Sequence, residues 1–228
     1  MKFPYNVIDL THTISPDIPT WSGSCGFTVA TILDYEQCTT ETKFRVQKFS
    51  MNAGIGTHID SPAHCFPGAP TVDQLSLQNL IAPCAIIDVS QHVHADYQVS
   101  VTDIEQFESI HGVIAPGVCV FIRTGWDQYW DTPQKYHNNH RFPFVSEEAA
   151  AFLLHRKIVG LGIDTLSPDR PEDDFPVHRL LLKAGLYHIE NVTNLQHVPP
   201  VGAFSVALPL KIRSGAESPV RLIALIPH

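Results

Sequence analysis

The sequence predicts an α/β fold: one domain over residues 1–228, with a mixed β-sheet flanked by a few helices. Three observations carry this. Short apolar runs rich in β-branched and aromatic residues recur along the whole chain, helical patterns with recognisable caps sit between some of them, and the alternation of the two is concentrated in the second half. Strands are expected at residues 7–10, 27–33, 44–51, 85–89, 118–123, 158–163, 187–192, 204–208 and 220–226. The first helix opens on Thr102, Asp103, Ile104 and Glu105, a capping-box pattern, continues through Phe107 and Ile110, and stops at Gly112. Ser146 caps a second, with Glu147 and Glu148 in its first turn and His155, Arg156 and Lys157 in its last. Each sign there matches its end of the helix dipole. A third runs from about Pro176 through Leu180, Leu181 and Leu182 to a C-terminal Gly185. Pro and Gly punctuate the chain evenly, with no repeat or biased linker to divide it.

Composition excludes several classes. A chain of 228 residues can bury roughly 70–75% of its unfolded surface in one core, and 44% hydrophobic residues suffice to build it. With 15 Lys+Arg against 23 Asp+Glu and a net charge of -8, no basic footprint exists for a nucleic-acid backbone. No apolar run reaches the roughly 18–20 residues of a membrane span, and the N-terminus has no apolar signal core, so a cytoplasmic protein is expected. Cys25, Cys38, Cys65, Cys84 and Cys119 are odd in number and widely spaced. They imply neither a disulfide framework nor a zinc finger, and most are expected to be small buried hydrophobes. Thirteen histidines are many beside 17% charged residues, which directs attention to metal chemistry.

The densest polar segment, residues 54–64, reads Gly-Ile-Gly-Thr-His-Ile-Asp-Ser-Pro-Ala-His. On extended backbone, His58 and Asp60 stand two residues apart and point to the same side, offering the nitrogen and oxygen donors that suit zinc or manganese. Pro62 then bends the chain and swings His64 toward the same point. The alternative is a polar turn with a surface histidine, although three polar groups framed by Gly and Pro weigh against it. A second cluster runs through Asp164 at a strand end, His178 in the first turn of a short helix, and Glu190 in an otherwise apolar strand. A carboxylate in such a strand needs a partner, and a metal, an arginine or a backbone turn would each satisfy it.

Together these residues resemble the cyclase family of metal-dependent hydrolases, which includes bacterial kynurenine formamidases and isatin hydrolases. The resemblance rests on G-T-H-x-D-x-P-x-H at 56–64, then G-I-D-T-x-S-x-D, F-P-x-H-x-x-L-L and I-E-N-x-x-N-L. Residues 8–12, 19–23 and 123–126 match as well, so it spans nearly the whole chain. It implies a swivelling β/β/α-like fold and a centre in which His58, Asp60, His178 and Glu190 ligate a divalent metal. Zinc is the expected ion, with manganese the alternative. His64 falls in the general acid/base position and Trp21 in a substrate-binding one. In kynurenine formamidases two zinc ions are bridged by the equivalents of Asp60 and Glu190. The resemblance also implies a homo-oligomer, dimer or tetramer, acting on a small molecule.

One position departs from that pattern. The family motif opens H-x-G-T-H, and Gly54 stands where its first histidine would be. With one imidazole missing, either His58, Asp60 and Glu190 are left for that position or a single ion is shared by the four remaining groups; one ion is favoured over two, and Asn52 offers a further amide oxygen. The implied reaction is hydrolysis of a non-peptide amide C–N bond in a small aryl formamide or cyclic amide, with His64 taking and returning the proton. The alternatives are a lactone or ester hydrolase using the same site, and a catalytically impaired metal-binding homologue. Phe66 joins Trp21 as a candidate aromatic contact, Cys65 is a weak candidate nucleophile, and residues 126–140 are a candidate lid. Asp164, Arg123 and Thr124 are candidates to orient ligating histidines, with His12 and His188 as candidate neighbours of the site.

Overall fold

The structure, a computed structural model, describes residues 3–24, 26–92 and 94–228; Cys25 lies outside the described residues. In chain order the elements are β1 (Tyr5–Asp9), β2 (Thr28–Leu33), β3 (Val46–Ser50), β4 (His58–Asp60), α1 (Leu77–Leu80), β5 (Ile81–Asp88), β6 (Gln98–Val99), α2 (Val101–His111), β7 (Cys119–Arg123), α3 (Pro133–His137), β8 (Phe144–Val145), α4 (Glu147–His155), β9 (Gly160–Ile163), α5 (Pro176–Lys183), β10 (Tyr187–Glu190), β11 (Ala203–Pro209) and β12 (Glu217–Pro227). Every expected strand and helix has a counterpart. The two-residue strands β6 and β8 and the short helices α1 and α3 were not expected, because two to five residues are too few to show a periodicity.

The large sheet is mixed, as the sequence implied. Its order is β1-β12-β11-β5-β7-β9-β10-β4, with β5, β7, β9 and β10 mutually parallel and the outer pairs antiparallel. The length of β12 closes it: Glu217, Ser218 and Pro219 pair with β4, while the rest of the strand pairs with β11 and β1. Closure leaves the β4 end of the sheet without a free edge. Inside lie Ile59, Phe121, Tyr187, Ile189 and Leu222, all but inaccessible to solvent. Two glycines of β9 make room for them, since a Cβ on Gly160 would lie 2.3 Å from the Tyr187 ring and one on Gly162 2.3 Å from Phe121. The outer face of the parallel strands packs under α2, α4 and α5 through Ile104, Phe107, Leu153 and Leu181.

The helix caps are partly where the sequence put them. Ser146 Oγ accepts from the Ala149 N–H at 3.0 Å. For α2 the cap is Ser100, two residues before the expected Thr102; Asp103 accepts from both its N–H and its hydroxyl, at 2.7 and 2.8 Å. At the far ends of α2 and α4, Arg156 makes a two-point ion pair with Glu108 at 2.7 Å. The β2–β3 hairpin forms a separate two-stranded sheet whose Ile32 and Phe49 are 62% and 58% exposed. No helix among the described residues is long and apolar enough to cross a membrane.

Candidate metal centre

The ribbon β12–β4–β10 gathers the polar residues on one face. Register places Glu217 and His188 on either side of Asp60, and Pro219 and Glu190 on either side of His58. Directly opposed residues share a face of the sheet, so Glu217, His58, Asp60, His188 and Glu190 project together while Ile59 and Ile189 point into the core. The expected spacing of His58 and Asp60 is therefore realised. Pro62 starts a 3₁₀ turn over Pro62–His64 that carries His64 to the rim.

His178 comes from the first turn of α5. The sequence placed it there, and the loop before it sets where the helix begins. That loop carries Asp169, whose carboxylate accepts from the Val177 and His178 N–H groups at 2.9 and 2.8 Å and from His178 Nδ1 at 2.7 Å. One buried side chain thus caps the helix and orients the imidazole. With Nδ1 donating to Asp169, Nε2 of His178 keeps its lone pair for a metal. His58 is set the same way: its Nδ1 lies 2.9 Å from the Gly56 carbonyl, which also accepts from Asn191 Nδ2 at 2.9 Å.

Each carboxylate serves both imidazoles with different oxygens. His58 Nε2 lies 3.5 Å from Asp60 Oδ1 and 3.4 Å from Glu190 Oε2, whereas His178 Nε2 lies 3.6 Å from Asp60 Oδ2 and 3.6 Å from Glu190 Oε1. Donors each about 2.1 Å from one ion at the tetrahedral angle stand about 3.4 Å apart, so these separations fit a divalent metal. Among the described residues three groups of donors lie within reach of an ion: His58 with Asp60 and Glu190, His178 with Asp60 and His188, and His64 with Asp60 and Glu217.

The unpaired atoms agree with a cation. Asp60 Oδ1 is buried without a hydrogen-bond partner, as are both ring nitrogens of His188, a costly arrangement for a polar core left as it stands. Burial opposes a charge on His58, but Asp60 and Glu190 outweigh it and lift the imidazole to about 10. Glu190 is raised by burial and by Asp60. His188, with no carboxylate hydrogen-bonded to it, is held well below its ordinary value by burial and by His178. A divalent ion and a pair of protons are alternative ways of neutralising these carboxylates.

Beside the centre lies a cavity of about 460 Å³ lined by Trp21, His64, Phe175, His178 and Glu217 among others. Trp21 is held at its mouth, its carbonyl accepting from His137 and His140 Nε2 at 3.0 and 2.8 Å. Its ring tilts against Phe175 at 5.8 Å. Phe175, at φ 52°, occupies the left-handed region that a bulky residue rarely adopts, and so turns into the cavity. Sequence reasoning missed it. Phe66, proposed for that role, is absent from the lining.

Other expectations are corrected. Asp164 accepts from Thr124 N and Oγ1 and from Gly125 N, and Arg123 pairs with Asp88; the residue that orients His178 is Asp169. Asn52 lies against Gly26 and contributes nothing to the cavity lining. Residues 126–140 are a packed wall: Trp126, Trp130 and Tyr136 are buried with Ile18, Ile55 and Phe142, and only His137 and His140 reach Trp21. Cys65 lines the cavity, but burial pushes its thiol up, away from the thiolate a nucleophile needs. Of the four described cysteines, Cys84 and Cys119 are buried, opposite one another on β5 and β7, so the expectation that most are core residues holds for half of them. His12 stacks on Trp130 at 3.8 Å, outside the centre.

A closed mixed sheet carrying a buried histidine–carboxylate centre beside a cavity is the layout of a metal-dependent hydrolase. The family model described as "Putative cyclase" matches residues 8–170. An isatin hydrolase of Roseibium aggregatum is 35% identical over 187 residues, covering 75% of this chain and 71% of that protein. A kynurenine formamidase of Bacillus cytotoxicus is 30% identical over 95% of both chains. The solved isatin hydrolase A of Ralstonia solanacearum superposes with a TM-score of 0.88 at 32% identity, covering 97% of this chain and 92% of that one. The chain belongs to the cyclase family, and it is a metal-dependent amidohydrolase.

Proposed function

We propose that the protein hydrolyses the amide C–N bond of a small aryl formamide or cyclic aryl amide, with two divalent ions held by the groups described above. His58, Asp60 and Glu190 would hold one ion, and His178 and Asp60, with Glu190 and His188 beside them, would hold the other. When bound, such ions supply Lewis acidity and bring the pKa of water toward neutrality. Zinc suits the imidazoles and manganese the carboxylates. The observation that carries the reading is the division of the Asp60 and Glu190 oxygens between His58 and His178, directly beside an aromatic-rimmed cavity.

The chain's own groups define the rest. Trp21 and Phe175 offer apolar faces to a planar ring, and the cavity is large enough for a bicyclic substrate. His64, with 35% of its side chain exposed at the rim, exchanges protons with solvent and with substrate. It takes a proton from the attacking water and returns it to the leaving nitrogen, so that the C–N bond breaks as the new C–O bond is kept. An isatin hydrolase and a formamidase among the relatives support this substrate class. A homo-oligomer belongs to the same proposal, supported by the exposed apolar hairpin of Ile32 and Phe49 and measurable by sedimentation equilibrium.

The test is a matched set of an aryl formamide, a cyclic aryl amide and the corresponding lactone, offered to protein of measured metal content. Amide turnover is expected to exceed lactone turnover. His64→Ala should lower kcat by about 10²–10⁴-fold with metal content unchanged. Unchanged kcat in that variant, or no turnover of any amide by metal-loaded protein, removes the proposal.

A further inference from the structure

Gly54 marks where this chain departs from the H-x-G-T-H pattern, and the space its side chain would need is already taken. A Cβ on Gly54 would lie 2.2 Å from Glu217 Oε1 and 3.3 Å from His58 Nε2. No side chain can stand at 54 without moving the Glu217 carboxylate, and whatever fills that space stands next to the His58 nitrogen. A carboxylate from the other end of the chain therefore stands where the first atom of a side chain at position 54 would be.

The backbone that delivers Glu217 is fixed. Ser61 donates both its N–H, at 2.9 Å, and its hydroxyl, at 2.7 Å, to the Ala216 carbonyl, and the Val220 N–H donates to the Thr57 carbonyl at 3.0 Å. Glu217 is thus held directly across from Asp60 on the polar face of the ribbon. One of its oxygens comes within 4.8 Å of donor atoms of Asp60 and His64. Beside it, Asp60 Oδ1, turned to the His58 side, is buried and has no hydrogen-bond partner.

We propose that Glu217 is the missing donor: this chain rebuilds the His58 side of its metal centre with a carboxylate from β12 where the family pattern has an imidazole. The inference rests on the two-ion centre proposed above. Glu217 now stands beside Asp60 and His64, its Oε1 3.7 Å from His64 Nδ1, and a turn of its side chain toward His58 would complete a set of one imidazole and three carboxylates, Asp60, Glu190 and Glu217. Replacing nitrogen by a charged oxygen moves the preference of that position from zinc toward manganese. Gly54 and Glu217 form a pair: the glycine is needed because the glutamate is there.

The test measures Mn2+ and Zn2+ binding by titration calorimetry and bound-metal analysis, with circular dichroism of each metal-free form. Wild type, Glu217→Gln, Glu217→Ala, Gly54→His and the double variant Gly54→His/Glu217→Ala are compared. Glu217→Gln keeps the size of the side chain, so it answers even if Glu217→Ala folds poorly. Expected are two ions in wild type and, in both Glu217 variants, a loss of at least about tenfold in affinity for one of them, the other being retained. Gly54→His alone should bind worse than wild type, because its side chain meets Glu217. The double variant should recover the second ion with a lower ratio of Mn2+ to Zn2+ affinity. Wild-type affinity for both ions in Glu217→Gln and Glu217→Ala overturns the inference and leaves the two-ion reading standing. If wild type binds no divalent ion, both fall.

Discussion

The two sides of the metal centre are built to different standards. Both imidazoles are buried, but on the His178 side the ring is locked by Asp169 at 2.7 Å and the same carboxylate fastens the helix that carries it. On the His58 side the ring leans on a backbone carbonyl, position 54 offers no side chain, and Glu217 remains a quarter exposed. Both imidazoles line the cavity, but the first is preorganised by a buried, charge-assisted hydrogen bond and the second by a neutral one.

The comparison breaks most severely at Asp169. Asp169→Ala leaves His178 Nδ1 and two backbone N–H groups without their acceptor, and should cost about 3–5 kcal/mol of stability by breaking a buried pair. Chemical denaturation measures that loss. In Asp169→Asn, which preserves shape, metal affinity should fall about 10–100-fold, with the loss confined to one of the two ions. Equal weakening of both ions would show that the sides are not independent.

A second imidazole sharpens the role of the carboxylates. His12 donates its backbone N–H to Thr57, one residue from His58, yet no carboxylate shares its burial and it is pushed down to about 4, whereas His58 is lifted to about 10. Burial alone switches an imidazole off; two carboxylates reverse the sign. Because the folded value for His12 lies below its unfolded value near 6.5, the unfolded chain takes up the proton first as pH falls. The stability tied to neutral His12 is complete above about 6.5, is lost progressively down to about 4, and reaches about 2–3 kcal/mol. Urea titrations at several pH values in excess chelator should show this slope in wild type and its loss in His12→Asn. The smallest effect is expected at the cavity mouth. Trp21→Ala should raise KM about 2–10-fold while metal content stays constant, the worth of one aromatic contact.

Much of the centre was legible along the chain because its parts are local. His58 and Asp60 are two residues apart on one strand, His64 follows a proline turn, and a carboxylate in the apolar run at Glu190 announced a need for a partner. The strands and three main helices were legible for a similar reason, since each carries its own periodicity and caps. Asp169 lay within a recognised motif, but its double task became visible only with the start of α5 in place. Phe175 depends on a left-handed backbone conformation that no side-chain pattern signals. Glu217 had no local signal at all.

What the sequence determined by itself is the main strands and helices, the family and the donor types on β4, α5 and β10, because periodicity, capping and short spacings act within a few residues of chain. What only the tertiary structure decided is which distant residues share a face. Closure of the sheet through β12 sets Glu217 beside Asp60 across 157 positions, and fills the space above Gly54 that the sequence could report only as a loss. Register between strands is fixed by the packing of the whole barrel, and a missing side chain is judged by what stands in its place.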